Sequence, residues 1–146
     1  MLLVDPKRCC YCYECVLACS FFNEGIFSPA MARIKVLESK EGYGIPLICL
    51  QCSAHPCVDV CPTEALRLEG GIVKVKEEIC IGCGTCEKAC PIGAIWVFNG
   101  KAIKCELCSP NPPCAKYCPT GAIKTTDSPE KVEESIRFIM TLRRTS

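Results

Sequence analysis

Histidine is all but missing: His55 is the single one among 146 residues. A histidine-built catalytic metal centre is thereby excluded. Charge of one sign is also lacking. Lys plus Arg number 17 against 16 Asp plus Glu, a net charge of +1, so no electrostatic field draws the chain to nucleic acid. No apolar run reaches the roughly 18–20 residues that cross a bilayer. The start, Met1-Leu2-Leu3-Val4-Asp5-Pro6-Lys7, lacks a basic segment, a long apolar stretch and a small-residue cleavage site. No twin-arginine signal precedes the first cysteine. The expectation is a soluble, unexported chain in the cytoplasm, where structural disulfides are rare. Nor is there a nucleophile–base arrangement, a phosphate loop or a nucleotide fingerprint. Ordinary apolar residues are scarce too. The hydrophobic fraction of 49% counts 17 Cys, and without them it falls to about 37%.

Those 17 cysteines make up about 12% of the chain, beyond the roughly 8–10% that marks a special scaffold. Their number is odd, so disulfides would leave a thiol over. Their spacing points to metal. Cys9, Cys12, Cys15 and Cys19 read C-x2-C-x2-C-x3-C, and Cys80, Cys83, Cys86 and Cys90 repeat it. Cys49, Cys52, Cys57 and Cys61 widen the second gap, as do Cys105, Cys108, Cys114 and Cys118. Pro62, Pro91 and Pro119 follow three of the four quartets. Only Cys10 stands outside the pattern. This is the bacterial-ferredoxin run, in which three cysteines ligate one [4Fe-4S] cube and the fourth ligates its neighbour. Three closely spaced thiolates on a loop wrap one corner of a cluster. The fourth is expected on a short helical turn that points the other way and that the next proline ends. Zinc prefers two Cys pairs separated by a dozen or more residues, which these nested quartets do not offer.

The chain also repeats internally. Cys61-Pro62-Thr63-Glu64-Ala65-Leu66, Cys90-Pro91-Ile92-Gly93-Ala94-Ile95 and Cys118-Pro119-Thr120-Gly121-Ala122-Ile123 run alike. Each reads as a helix end, a turn and the start of a strand. Leu66–Glu69 and Ile72–Val75 alternate around Gly70-Gly71. Ile95–Phe98 and Lys101–Lys104 flank Asn99-Gly100, a type I′ hairpin signal. The fold class expected is α+β: two bacterial-ferredoxin-like two-cluster domains related by internal repeat, plus a C-terminal helix. The inner domain is expected at 45–98, the outer at 1–44 and 99–126, and the helix at 127–146. In that helix Asp127, Ser128, Pro129 and Glu130 supply the start. Val132, Ile136, Ile139 and Met140 mark one apolar face, and Arg143 and Arg144 the end. Either the helix packs on its own domain or it docks on a partner. The insert from Phe21 to Gly44, with Phe22, Ile26 and Phe27, is open to the same two readings.

The array from Cys9 to Cys118 resembles the four-cluster ferredoxin-like iron–sulfur subunits of molybdenum and tungsten oxidoreductases, and of some hydrogenase and carbon monoxide dehydrogenase systems. Ser20 in place of proline after the first quartet, and the stretch Phe27–Val36, fit that resemblance, which covers roughly residues 1–126. It implies nested pairing. One cluster takes Cys9, Cys12, Cys15 and Cys118, and its neighbour Cys105, Cys108, Cys114 and Cys19. Of the inner pair, one takes Cys49, Cys52, Cys57 and Cys90, the other Cys80, Cys83, Cys86 and Cys61. Spacing by itself also permits sequential pairing. Four [4Fe-4S] clusters with all-thiolate ligation would add about −8 to the nominal charge. Lys7, Lys88, Lys104 and Lys116 lie near ligands in sequence and are read as solvated surface or as charges that tune the clusters. Cys10 is read as an idle thiol or a substitute ligand, His55 as a loop residue or a pH-linked neighbour of a cluster, and Tyr11, Tyr13, Trp96 and Tyr117 as packing or electron relays.

Three functions fit: an electron-transfer subunit wiring a catalytic oxidoreductase subunit to a soluble carrier or a further redox subunit, a free-standing polyferredoxin, or a non-redox metal-binding module. The resemblance favours the first, with no catalytic residues of its own. The expected partner is a tungsten or molybdenum enzyme of the aldehyde oxidoreductase or aromatic acyl-CoA reductase type. A hydrogenase or carbon monoxide dehydrogenase is the alternative.

Overall fold

Strand, cysteine loop, helix, strand is the order in which the chain is built, and it recurs along the length of a computed structural model that describes residues 1–108 and 110–145. The strands are β1 (Leu2–Val4), β2 (Ile34–Glu38), β3 (Gly44–Ile48), β4 (Leu66–Glu69), β5 (Ile72–Val75), β6 (Ile95–Phe98), β7 (Lys101–Lys104) and β8 (Ile123–Thr125). The helices are α1 (Glu14–Glu24), α2 (Pro56–Asp59), α3 (Thr85–Ala89), α4 (Pro113–Lys116) and α5 (Pro129–Thr145). This is a small α+β protein whose sheets are all two-stranded and antiparallel: β1 with β8, β2 with β3, β4 with β5, and β6 with β7.

Local sequence explains the hairpins. Gly70 and Gly71 (φ 57° and 79°) turn β4 into β5, and Asn99 and Gly100 (φ 49° and 74°) turn β6 into β7. Two successive left-handed residues match the right-handed twist of the strands they join. The β1–β8 ladder instead joins the two ends of the repeat, with Leu3 opposite Lys124. The expected domain edges at 44/45 and 98/99 fall within the paired β2–β3 and β6–β7 units.

Two apolar clusters hold the chain. The larger gathers Leu2, Val4, Val16, Ile34, Ile45, Leu47, Ile48 and Ile123 around Cys15, Cys19, Cys105 and Cys114. The smaller packs Leu66, Val73, Ile95 and Ala102 around Cys57, Cys80 and Cys86. Cysteines therefore sit where branched aliphatic residues fill an ordinary core. Helix α5 lays Val132, Ile136 and Ile139 into the larger cluster, so its apolar face packs on its own chain. Ser128 caps it, its hydroxyl accepting the Lys131 N–H at 3.4 Å and donating to Glu130 Oε2 at 2.8 Å. Ser146, the end of the expected helix, lies outside the described residues. Phe21, Phe22, Ile26 and Phe27 of the insert are each at least half exposed, and Phe21 stacks on Phe27 at 4.7 Å.

Candidate iron–sulfur sites

Each cysteine loop is shaped by one left-handed residue immediately before its second cysteine: Tyr11, Gln51, Gly82 and Leu107, with φ between 55° and 65°. That kink lets two cysteines three positions apart turn toward one side. The third cysteine of every quartet (Cys15, Cys57, Cys86, Cys114) stands in the opening turn of a helix and is buried. The fourth departs from expectation. Cys61 and Cys118 lie two residues beyond α2 and α4, and Cys90 ends α3, so these three follow their helices and do not ride on them. Pro62, Pro91 and Pro119 confine those cysteines to extended backbone. Cys19 alone lies within a helix, because Ser20 lets α1 continue to Glu24.

The loops bring the cysteines together in four groups. Cys9, Cys12, Cys15 and Cys118 line one cavity. Cys49, Cys52, Cys57 and Cys90 line a second. Cys61, Cys80, Cys83 and Cys86 line a third. About 390, 330 and 300 Å³ of space, part of it open to solvent, lies at the second, third and first of these, a similarity that suits one kind of occupant. In the fourth group the Cys114 thiol feels Cys105 and Cys19 most strongly, then Cys15 of the first group and Cys108, and Asn23 Nδ2 lies 3.7 Å from Cys19 Sγ and 4.0 Å from Cys108 Sγ. The groups adjoin one another. Cys15 is a neighbour of Cys114, and Cys49 of Cys105, while Cys57 of the second group shares the smaller apolar cluster with Cys80 and Cys86 of the third.

The donor chemistry suits a cluster larger than one ion. Among the described residues no three Cys, His, Asp or Glu side chains close on a single-ion site; the thiols surround a volume. Amide N–H groups point at sulfur: Arg33 to Cys19 at 3.3 Å, Ala65 to Cys61 at 3.2 Å, Ala94 to Cys90 at 3.3 Å and Ala102 to Cys80 at 3.4 Å. Thr63, Thr85 and Thr120 hydroxyls lie 3.9, 3.3 and 3.8 Å from Cys61, Cys83 and Cys118 Sγ. Such donors steady thiolate charge and cluster sulfur. Gly44 makes room for the first group: a Cβ there would stand 2.5 Å from Cys9 Sγ.

Acidity follows the same geometry. Burial pushes the Cys15, Cys57 and Cys105 thiols up to about 12, and neighbouring thiols add to the rise. Cys114 is raised further for the same reasons. Cys83 is lowered by the Thr85 hydroxyl and amide. At Cys61 and Cys118 burial opposes the change, but backbone donors at Leu66 and Ile123, with the threonine hydroxyls, bring these thiols below the ordinary value. Without metal the buried thiols keep their protons, so loading must expel them.

The remaining sequence candidates take different places. Cys10 is exposed yet lines the cavity of Cys9, Cys12, Cys15 and Cys118, and His55, at φ 43°, precedes α2 half-buried. Trp96 is buried beneath Lys35, whose Nζ lies 4.0 Å from the ring centroid. Tyr13 and Tyr11 share a 3.0 Å hydrogen bond beside the first cavity, while Tyr117 is exposed. Lys88 and Lys116 are solvated, and exposed Lys7 lies 5.5 Å over the Phe138 ring. Lys104 overturns the solvated reading, at 1% exposure. Sequence reasoning missed Gln51, whose Oε1 accepts the Val73 N–H at 2.9 Å while its Nε2 donates to the Cys105 carbonyl at 3.1 Å. It also missed α5 as a wall. Ile136 lines the second cavity, Glu133 accepts the Ser53 N–H at 3.0 Å, and Arg143 donates to the Pro91 carbonyl at 3.4 Å. The threonines were findable, since Cys-Pro-Thr recurs at Cys61 and Cys118.

Comparison with known proteins agrees with this geometry. The LdpA Fe–S cluster-binding domain family matches residues 49–101. A ferredoxin of Methanocaldococcus jannaschii is 37% identical over 105 residues, covering 72% of this chain and 62% of its own. The polyferredoxin-like subunit of aliphatic sulfonate oxidoreductase from Pyrococcus furiosus is 45% identical over 92 residues, covering 62% and 53%. YsaA of Escherichia coli, whose name assigns it to electron transport, is 34% identical over 115 residues, covering 71% and 73%. The chain thus spans little more than half the length of the first two relatives. With cysteine loops built for iron–sulfur ligation and a relative matched over most of both chains, the protein belongs to the ferredoxin-like iron–sulfur electron-transfer family.

Proposed function

We propose that the chain is the electron-transfer subunit of an oxidoreductase, passing electrons through four [4Fe-4S] clusters. The observation that carries this reading is the gathering of cysteines into adjoining groups, each drawing three from one quartet and the fourth from another. Cys9, Cys12, Cys15 and Cys118 hold the first cluster, and Cys19, Cys105, Cys108 and Cys114 the second. Cys49, Cys52, Cys57 and Cys90 hold the third, and Cys61, Cys80, Cys83 and Cys86 the fourth. Bound clusters supply one-electron redox chemistry at potentials set by charge, burial and hydrogen bonds to sulfur. The chain's own part is to fix the thiolates, aim N–H donors at them and exclude water with α5 and the aliphatic clusters. Two ferredoxin-like domains, outer and inner, house the pairs.

The partner is a catalytic oxidoreductase subunit, and the complex works in the cytoplasm. The sulfonate oxidoreductase relative, itself named a polyferredoxin-like subunit, supports a partner of this kind. We favour a tungsten or molybdenum enzyme of the aldehyde oxidoreductase or aromatic acyl-CoA reductase type. A free-standing polyferredoxin is the second reading, supported by the relative named simply as a ferredoxin. Anaerobic purification tests both. About 16 iron and 16 sulfide per chain are expected, with a copurifying subunit carrying tungsten or molybdenum. Iron holding near half that value after reconstitution overturns the four-cluster reading. Full iron without a copurifying subunit favours the free polyferredoxin.

A further inference from the structure

Lys104 is the single buried cation among the described residues, at 1% exposure. It ends β7, one position before Cys105. Its ammonium group donates to the carbonyls of Val73 and Cys105. Lysine has three N–H donors and no acceptor, so two carbonyls leave one donor over. The third is available to the Cys49 thiol, on which the ammonium group acts. Lys104 also lines the cavity shared by Cys49, Cys52, Cys57 and Cys90. Its charge acts on Cys57 in the same group and, as the weakest of the influences there, on Cys105 of the next. A cation thus stands where the outer and inner cysteine groups meet, held by two backbone carbonyls.

Placement gives this charge unusual leverage. Arg33 lies near Cys19, but its side chain is 27% exposed, so water and salt screen it. Lys7, Lys88 and Lys116 are exposed. A charge enclosed by protein interacts several times more strongly with its neighbours than one facing water. Hydrogen bonds to cluster sulfur and net local charge are two levers that set iron–sulfur potentials. Both act here in the same direction, because each favours the form carrying one more electron.

We propose that Lys104 tunes the cluster held by Cys49, Cys52, Cys57 and Cys90, raising its potential so that it is the first of the four to accept an electron. The inference rests on the four-cluster reading above. One electron passes from the reductant to the cluster, and no bond forms or breaks. The cluster at the meeting of the two halves becomes the resting place of the first electron to enter.

The test is an anaerobic redox titration of the full chain with dithionite, followed by electron paramagnetic resonance, in wild type, K104Q and K104R. Wild type should show one cluster reduced before the other three. In K104Q, which keeps an N–H donor and loses the charge, that same signal should move to lower potential while the other three hold. K104R should restore the wild-type order. Iron content separates the two readings: full iron in K104Q with no midpoint moved overturns the role of Lys104, whereas half iron in wild type overturns the four-cluster reading. If K104Q fails to load, wild type still decides. A single early-reduced cluster supports the proposal, and four clusters reduced together overturn it.

Discussion

Cys15 and Cys118 face one cavity, although one opens α1 and the other follows α4 near the far end of the repeat. If both serve the same cluster, C15S and C118S should erase the same electron paramagnetic resonance signal. Each should lose about four iron, and the double variant should lose no more than either. Loss of about eight in the double variant would show that the two serve different clusters.

Because Cys15, Cys19, Cys105 and Cys114 are members of the larger apolar cluster and Cys57, Cys80 and Cys86 of the smaller, iron removal should hollow both. Metal binding of this kind supplies folding free energy. Anaerobic chelation is expected to abolish most of the far-ultraviolet circular dichroism. A cooperative melt retained by the iron-free chain would contradict this.

Proton linkage has a definite sign. The Cys15, Cys57 and Cys105 thiols are raised from 9.0 to about 12, so an empty chain that stays folded holds these protons more tightly than the unfolded chain. That contribution is complete below pH 9 and is lost as the pH climbs through about 12. Cluster loading runs the opposite way, since it expels the protons. Resistance of the loaded protein to a chelator should therefore fall as the pH is lowered from 9 to 6.5, measured by loss of visible absorbance.

Three positions after the fourth cysteine the backbone is left-handed in the second, third and fourth quartets, at Glu64 (φ 53°), Gly93 (φ 66°) and Gly121 (φ 65°). Glutamate is strained where its two counterparts are glycine. E64G should stabilise the loaded protein by about 1 kcal/mol, less the small value of the exposed Arg67–Glu64 pair,. Thermal unfolding under anaerobic conditions reads this directly.

Ile136 is buried in the larger cluster and lines the cavity of Cys49, Cys52, Cys57 and Cys90. I136A should cost about 2–5 kcal/mol and quicken oxygen damage to one cluster. Oxygen exposure followed by iron analysis should show a fast loss of about four iron, against uniform slow loss in wild type.

Much of this architecture was legible in the residues. Asn99-Gly100 announced its hairpin, the Cys-Pro endings announced where helices stop, and the spacing of Val132, Ile136 and Ile139 announced a buried face. Local rules govern all three. What escaped were relationships between distant segments. Nothing in the sequence near Gln51 says that it will bind Val73 and the carbonyl of Cys105. A lysine beside a ligand is ordinarily solvated, and only the approach of β5 to β7 encloses Lys104. Three of the fourth cysteines, Cys61, Cys90 and Cys118, stand just past their helices for a physical reason: the proline that follows each favours extended backbone there.

The pairing of β1 with β8 sets an order on biosynthesis. As the chain leaves the ribosome, the cavity of Cys61, Cys80, Cys83 and Cys86 has all its cysteines once Cys86 emerges, and that of Cys49 and Cys90 four residues later. Cys9, Cys12 and Cys15, translated before these, wait for Cys118 and for β8 to reach β1. These thiols thus wait longest for enclosure, open to oxidants and stray metal until Cys118 and β8 follow.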